Sequence, residues 1–353
     1  MFGEIFPLIK ILFFVSLAFV VALFFTPLLT HFLYKYKLGK KIRNEGITPI
    51  FTSLHIKKEG TPTMGGILVW ATVVGLAAGF WLLAKALGPN NVLFDFNFLT
   101  RKQTLLPLGM LVFAAAIGLV DDFIGVSKIG GRGVGLRLKN RLILYSIPAI
   151  IGAFWFYFKL DWDLIHIPFI GDFNIGIWYI PIFVFILIAT TFSTNQTDGL
   201  DGLAGGVLLV AFSGYAVISY SQGRWELATF CGAIVGALLA FLWFNIHPAR
   251  FFMGDTGSMS LGITLGVIAM LTNSLFFLPF LGFVLVIESL STIIQMLSKK
   301  LRHKKILLSA PIHHHFEAKG WPETKVTMRF WIISGVAAAI GLILFFVDKN
   351  LIN

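Results

Sequence analysis

Residues 105–122 read LLPLGMLVFAAAIGLVDD. An uncharged run from Leu105 to Val120 ends directly in two aspartates, Asp121 and Asp122. A helix needs about 20 apolar residues to cross a bilayer core, so this stretch predicts a span over about 105–125. A carboxylate costs about 2.5–3.5 kcal/mol at a bilayer centre and less at the interface. The pair therefore belongs at a membrane edge. Adjacent carboxylates also resist ionising together unless a cation neutralises them. Two readings stand: an interfacial pair facing water, or oxygen donors to a hard divalent cation such as magnesium.

The rest of the chain has the same character. Of its 353 residues 57% are hydrophobic and 13% charged, against roughly 25% charged in a soluble domain. This composition predicts an all-α polytopic membrane protein, read as one domain over residues 1–353, with no soluble domain. The single cysteine, Cys231, sits in an apolar run and reads as a packing residue. The first apolar run, about Ile5 to Leu33, is longer than a signal-peptide core and reads as a retained helix. Ten spans are expected, at about 5–33, 64–87, 105–125, 142–160, 177–194, 203–220, 226–244, 258–272, 274–298 and 327–347. The break between the eighth and ninth is very short, and Pro279 lies in the ninth.

Net charge is +11, and most of the 28 lysines and arginines fall on odd-numbered loops. They run from Lys35 to Lys58, from Lys128 to Arg141, at Arg250, and from Lys299 to Arg329. By the positive-inside rule those loops are cytoplasmic, and both termini face outward. Residues Asp161 to Trp178 alternate polar and apolar around Gly171 and predict a short outward β-hairpin between the fourth and fifth spans. His166 within it reads as a surface histidine.

The unusual polar residues gather on the odd loops as well. Beside Asp121-Asp122 stand NQTDGLDGLAGG (Asn195–Gly206), NIHPARFFMGDTGS (Asn245–Ser258) and APIHHHFEAKGW (Ala310–Trp321). Plain solvated loop ends would appear on both faces. Asp198 and Asp201 fall by the start of the sixth helix, where aspartate caps well; capping explains one of them better than both. GGRGVG (Gly130–Gly135) matches neither a dinucleotide fingerprint nor a Walker A pattern and reads as a flexible basic loop. Without a P-loop, an ATP-driven pump is disfavoured. His313, His314 and His315 are consecutive, so they do not converge easily on one zinc; phosphate contact or proton transfer suits them better. The Asp-Thr-Gly at Asp255 matches a protease triplet but opens a membrane helix. Lys58 stands apart from the other basic residues because Gly60, Thr61, Pro62, Thr63, Gly65 and Gly66 surround it with backbone-exposing residues.

These loops carry a resemblance. KKEGTPTMGG (Lys57–Gly66), GLVDDF (Gly118–Phe123), NQTDGLDGLA, FFMGDTGS (Phe251–Ser258) and APIHHHFE closely resemble the motifs of the phospho-N-acetylmuramoyl-pentapeptide transferases. Those enzymes sit within the polyprenyl-phosphate N-acetylhexosamine-1-phosphate transferases, and the resemblance runs along essentially the whole chain. It implies a reaction at the cytoplasmic face of the bacterial inner membrane. UDP-MurNAc-pentapeptide and undecaprenyl phosphate give undecaprenyl-diphospho-MurNAc-pentapeptide and UMP, with Mg2+. It implies that Asp255 ligates magnesium and that Asp121, with Asp122 beside it, orients or deprotonates the lipid phosphate. His314, with His313 and His315, would contact diphosphate or sugar. Phe252 would stack on uracil, and Lys58, Gly199, Leu200, Asp201 and Asn245 would complete the nucleoside pocket. Thr63, Asn195, Asp198 and Gln295 are further substrate contacts under the same resemblance. The partners are those two substrates and the bilayer, with no nucleic acid; a homodimer is compatible. Gln196 departs from the leucine common in the family, and the loop after Asp122 holds fewer lysines, leaving Arg132, Arg137 and Lys139 as phosphate or headgroup contacts.

Three other readings compete. A UDP-GlcNAc-dependent relative differs only in its donor. A transporter predicts ionisable residues inside spans and a repeat between halves; here the acids sit at helix ends and no repeat stands out. An intramembrane aspartyl protease needs two aspartates facing each other within the bilayer and sharing a proton, an arrangement these positions do not favour.

Overall fold

The computed structural model describes residues 5–39, 58–127, 136 and 138–352. Lys57, Lys128, Arg132, Arg137 and the loop Gly130–Gly135 lie outside the described residues. The chain folds as α1 (Phe6–Lys35), α2 (Ile67–Leu87), the short α3 (Val92–Asp95), α4 (Leu105–Val126) and α5 (Leu138–Phe154). A π-helical turn prolongs α5 to Lys159. Then come α6 (Tyr179–Thr197), α7 (Leu203–Ser221), α8 (Trp225–Asn245) and α9 (Gly254–Leu271). The one-turn α10 (Leu278–Leu281), α11 (Phe283–Arg302), α12 (Ile312–Ala318) and α13 (Glu323–Ile352) complete it. Between α5 and α6, strands β1 (Leu164–Ile167) and β2 (Gly171–Asn174) pair antiparallel, Leu164 opposite Asn174. The hairpin stands where the alternation placed it.

Among the described residues, nine helices are long and apolar enough to cross a membrane. The ninth expected span, a helix over 274–298, is broken. Residues 275–281 and α11 meet at 87°, and the break falls at Gly282, not at Pro279. Pro279 sits in the first turn of α10, where a missing N–H costs nothing.

That bent pair still crosses. Tyr34, at the end of α1, donates to the Arg250 carbonyl (3.0 Å), and α9 starts four residues later. At the other end, the Asn273 side chain accepts from the His166 backbone N–H (2.9 Å). Asp348, near the end of α13, meets the His166 Nε2 (2.7 Å). Thus α9 and α13 both run from the Arg250 end to the hairpin end, and only the α10–α11 pair returns the chain between them. Lys10 near the start of α1 donates to the Asn97 carbonyl (2.9 Å), in the loop leading into α4. The start of α1 and the end of α13 therefore lie at the hairpin end. His166 is no free surface residue: its Nδ1 meets Asp172 (2.7 Å), its Nε2 meets Asp348, and the Phe169 N–H donates to Asp348 (2.6 Å).

The core is centred on α9, where 94% of the spanning window is buried, against 22% in α1. Its sequence GDTGSMSLGITLGVIAML explains this. Small residues let helices approach closely in a membrane, where no hydrophobic force drives them together. A Cβ on Gly262 would fall 2.7 Å from the Thr191 Cα of α6. Its buried hydroxyls all find partners: Ser260 donates back to Thr256 (2.6 Å) and Thr264 to Ser260 (2.7 Å), Thr256 donates to the Ala115 carbonyl (3.0 Å), and Ser258 accepts from Asn195 (3.0 Å), so none is left unpaired in an apolar interior.

Candidate active site

The close approach of α4 to α9 builds the first cluster. A Cβ on Gly118 would lie 2.4 Å from the Asp255 carbonyl, so the two backbones touch at Gly118. One turn further on, Asp121 comes beside Asp255. Arg141, in the first turn of α5, joins them: its Nη2 donates to Asp255 (2.7 Å) and its Nη1 to the Asn195 side-chain oxygen Oδ1 (3.1 Å). Its Nε lies 2.9 Å from the other carboxylate, Asp121, a Coulombic contact rather than an aligned hydrogen bond. The Leu136 N–H donates to Asp121 as well (2.9 Å). Asn195, at the end of α6, donates to Asp255 and to Ser258 (3.0 Å). Asp121 is buried and Asp255 half-buried, so two carboxylates and an amide oxygen converge on one cation.

The start of α9 is held from outside. The first N–H groups of a helix have no partner within it. Here the Thr256 N–H donates to Asp122 (2.9 Å) and the Gly254 N–H to Asp198 (3.2 Å). Thr63 also donates to Asp122 (3.3 Å). Asp198 thus serves α9, and Asp201 does not cap α7, whose N-cap is Gly202 with no side-chain cap. Capping, the simple reading of these aspartates, applies to a different helix than the sequence indicates. Gly254 has φ +75°, and a Cβ there would sit 2.6 Å from both Asp122 and Thr63 oxygens.

The second cluster lies next to the first along the same loops. Lys58 Nζ donates to Asp201 (2.6 Å) and Glu323 (2.5 Å). Asp201 also receives the His247 ring (2.9 Å) and the Ala249 N–H (3.2 Å). The Asp201 N–H donates to Glu323 (2.6 Å). Lys58 stands over the Phe252 ring at 5.9 Å. Asn245 ties the two loops, accepting from Gly202 N–H (3.0 Å) and donating to the Phe251 carbonyl (2.8 Å). Residues 62–66 run beside 252–253, Phe252 N–H to Pro62 and Gly65 N–H to Phe252 (both 2.8 Å). Asp201, His247 and Glu323 are the one three-residue group of metal-ligand type among the described residues. Lys58 bridges its two carboxylates.

The histidines diverge, as consecutive helical positions must. His313 donates from Nδ1 to Glu288 (2.8 Å), both residues fully buried. His314 donates to Glu317 (2.7 Å), and His315 Nδ1 accepts from the Leu308 N–H (3.1 Å). Burial, with the Lys319 charge, holds the His315 pKa below the ordinary imidazole value. The Nε2 of His313 faces Gly199, where a Cβ would lie 2.2 Å from it. Leu200 is buried beside that glycine. Gln295 is taken up by the backbone of Ile306 and Leu307, and so braces the loop before α12. Lys139 is exposed on α5.

Four residues of these clusters escaped the sequence reading. Arg141 counted only as a basic loop residue, and His247 and Glu323 lay unremarked in motif flanks. Glu288 had a signal: a lone carboxylate inside a span, costly unless paired.

Comparison with known proteins now bears on these loops. A family model described as "Glycosyl transferase family 4" matches residues 104–273, which hold Asp121, Asn195, Asp201 and Asp255. A phospho-N-acetylmuramoyl-pentapeptide-transferase of Chloroflexus aggregans is 38% identical over 338 residues, 92% of this chain and 86% of that one. The chain belongs to the phospho-N-acetylmuramoyl-pentapeptide-transferase family. Two more members agree over nearly the full length. That of Anoxybacillus flavithermus is 37% identical across 94% of this chain and 97% of its own. That of Clostridium novyi is 38% identical across 93% and 95%. Coverage this complete includes the loop segments outside the glycosyl transferase match, Lys58 to Gly66 and the three histidines.

Proposed function

We propose that this chain transfers phospho-MurNAc-pentapeptide from UDP-MurNAc-pentapeptide to undecaprenyl phosphate, releasing UMP, in bacterial peptidoglycan synthesis. The observation that carries it is the convergence of Asp121, Asn195 and Asp255 beside the Lys58–Asp201–Phe252 cluster at one end of the helix bundle. One P–O bond of a phosphoanhydride breaks and an equivalent one forms, so the exchange needs no ATP. Such a transfer depends on positioning and on neutralising charge.

Asp255 is the magnesium ligand in this reading, with Asp121 and the Asn195 side-chain oxygen as further oxygen donors. The Arg141 guanidinium among them marks a site that attracts a cation, and oxygen donors suit a hard one. When bound, Mg2+ would neutralise the diphosphate. Asp121 receives or steers the proton of the lipid phosphate, held by Arg141 and the Leu136 amide. Asp122 and Asp198 fix the first turn of α9 and so aim Asp255. Phe252 takes the uracil ring, with Lys58, Asp201, Asn245 and the Gly199–Leu200 backbone around the nucleoside. His314 and its neighbours meet diphosphate or sugar oxygens. The basic character of this end of the bundle supports a cytoplasmic site in the inner membrane, termini outward.

The test is UMP release from UDP-MurNAc-pentapeptide and a prenyl phosphate, with UDP-GlcNAc as the competing donor. Asp255→Ala should lower turnover by at least about a hundredfold, the scale of one lost charge-stabilising group. Parent-like turnover in that variant, or preference for UDP-GlcNAc, would overturn the assignment.

A further inference from the structure

Behind the loop that carries His247 and Phe252 lies a cavity of about 590 Å³ that the reaction does not use. It is lined by Thr30, His31, Tyr34 and Lys35 of α1, by Phe244 at the end of α8, and by Arg250. Tyr34 closes one side by donating to the Arg250 carbonyl (3.0 Å), and the Arg250 guanidinium lies 5.5 Å from the Phe244 ring centre. Lys35 and Arg250 are both exposed. Among the described residues neither forms an ion pair. Two cations therefore border one cavity, and no carboxylate among the described residues pairs with either.

The position of the cavity says what balances them. On α1, Phe24, Leu28, His31 and Lys35 follow one another at helical spacing, on one face. Phe24 is 78% and Leu28 53% exposed, on the least buried spanning helix. An apolar strip thus leads along the bilayer into the cationic end. Tyr34 and Tyr36 are exposed at the same level, as aromatic residues are at a membrane interface. A lysine in the last turn of a helix is favoured by the helix dipole, which accounts for Lys35 alone. It does not account for Arg250, contributed by a different segment to the same cavity.

We propose that this cavity binds the phosphate headgroup of an anionic bilayer phospholipid, with Lys35 and Arg250 as its counter-ions and the acyl chains lying along Phe24 and Leu28. The cytoplasmic leaflet is the anionic one, so the proposal rests on the sidedness given under the proposed function. The acceptor phosphate is a different ligand: α1 packs on α8 and α2, and Asp121 and Asp255 stand on α4 and α9. A bound headgroup would clip the end of α1 to the 246–252 loop and so steady Phe252 and His247 from behind.

The experiment uses the full chain in zwitterionic micelles, titrated with phosphatidylglycerol or phosphatidylcholine. Retained lipid is counted by native mass spectrometry and thermal unfolding is followed in parallel. The parent should retain phosphatidylglycerol and gain thermal stability from it, and phosphatidylcholine should do neither. Lys35→Gln and Arg250→Gln should each weaken retention by about fivefold, the factor for about 1 kcal/mol per basic residue at an anionic leaflet. The double variant should lose both effects, and Lys85→Gln at the hairpin end should keep them. Lys35→Gln, at an exposed helix end, serves as the reading if the double variant is unstable without lipid. Parent-like retention in Lys35→Gln and in the double variant would overturn the proposal. Displacement by inorganic phosphate would also overturn it, by marking a free-phosphate site. Displacement by undecaprenyl phosphate would do so by marking an acceptor site.

Discussion

Arg141 is the residue on which the acidic centre turns. It meets Asp255 at 2.7 Å and Asp121 at 2.9 Å, so its removal leaves two close carboxylates with no cation. Breaking a buried pair costs about 3–5 kcal/mol, less here because the arginine side chain is 22% exposed. Arg141→Gln should therefore unfold at a lower temperature than the parent, and added Mg2+ should recover more stability in the variant than in the parent. Equal magnesium shifts in the two proteins would show that the guanidinium and the metal do not share these oxygens. Glu288 is the second such residue. Glu288→Leu strands the buried His313 N–H, at about 1–3 kcal/mol, and frees the ring that packs on Gly199. Stability and UMP release should fall together in that variant. Glu288→Gln, which keeps an acceptor oxygen, should hold most of the stability; equal losses in both variants would remove the hydrogen bond from the explanation.

Among the elements, α9 decides most. Its first turn carries Asp255, and its amides are bound by Asp122 of α4 and by Asp198 after α6. Three elements thus set the direction of the carboxylate proposed to ligate the metal. Gly254 makes the entry turn possible at φ +75°. Gly254→Ala should cost about 1–3 kcal/mol from the left-handed backbone alone, and the new methyl would push Asp122 off the helix start. Thermal unfolding should register the first effect and UMP release the second; an unchanged melting temperature would mean the turn relaxes freely. The span limits of α4 were legible in sequence because apolar length is a local property. The break at Gly282 was not, because a bend depends on what the two halves pack against.

Across the whole molecule, the polar chemistry and the hairpin stand at opposite ends. At the hairpin end, His166 joins β1 to Asp172 and to Asp348 of α13. Burial lowers its pKa, but the Asp348 and Asp172 carboxylates outweigh this and hold it above the ordinary imidazole value. A group whose pKa is raised on folding stabilises fully below its unfolded value, near 6.5. That contribution is lost as pH rises through the folded value. Melting temperature should therefore decline as pH climbs from about 6 upward, and His166→Gln should flatten that decline. The same slope in both proteins would remove His166 as its cause. The gathering of Asp121, Asp201, Asp255 and the three consecutive histidines at one end was already visible in the alternation of loops, because each apolar crossing reverses the side.

Sequence alone determined the membrane class, the number of crossings to within the bent pair, the hairpin, and which loops gather the polar motifs. These follow from local quantities: apolar length, turn residues, and the cost of placing charge in lipid. The family followed from motifs in the same loops. Tertiary structure decided the partners. Asp198 serves α9 rather than the adjoining α7, Lys58 reaches Asp201 and Glu323 across the fold, and Arg141 gathers Asp121, Asn195 and Asp255. Glu288 meets the first of the three histidines. Each of these pairings joins residues of different elements that only the fold brings together. A carboxylate in the sequence shows that a counter-ion is required, and only packing selects which one it receives.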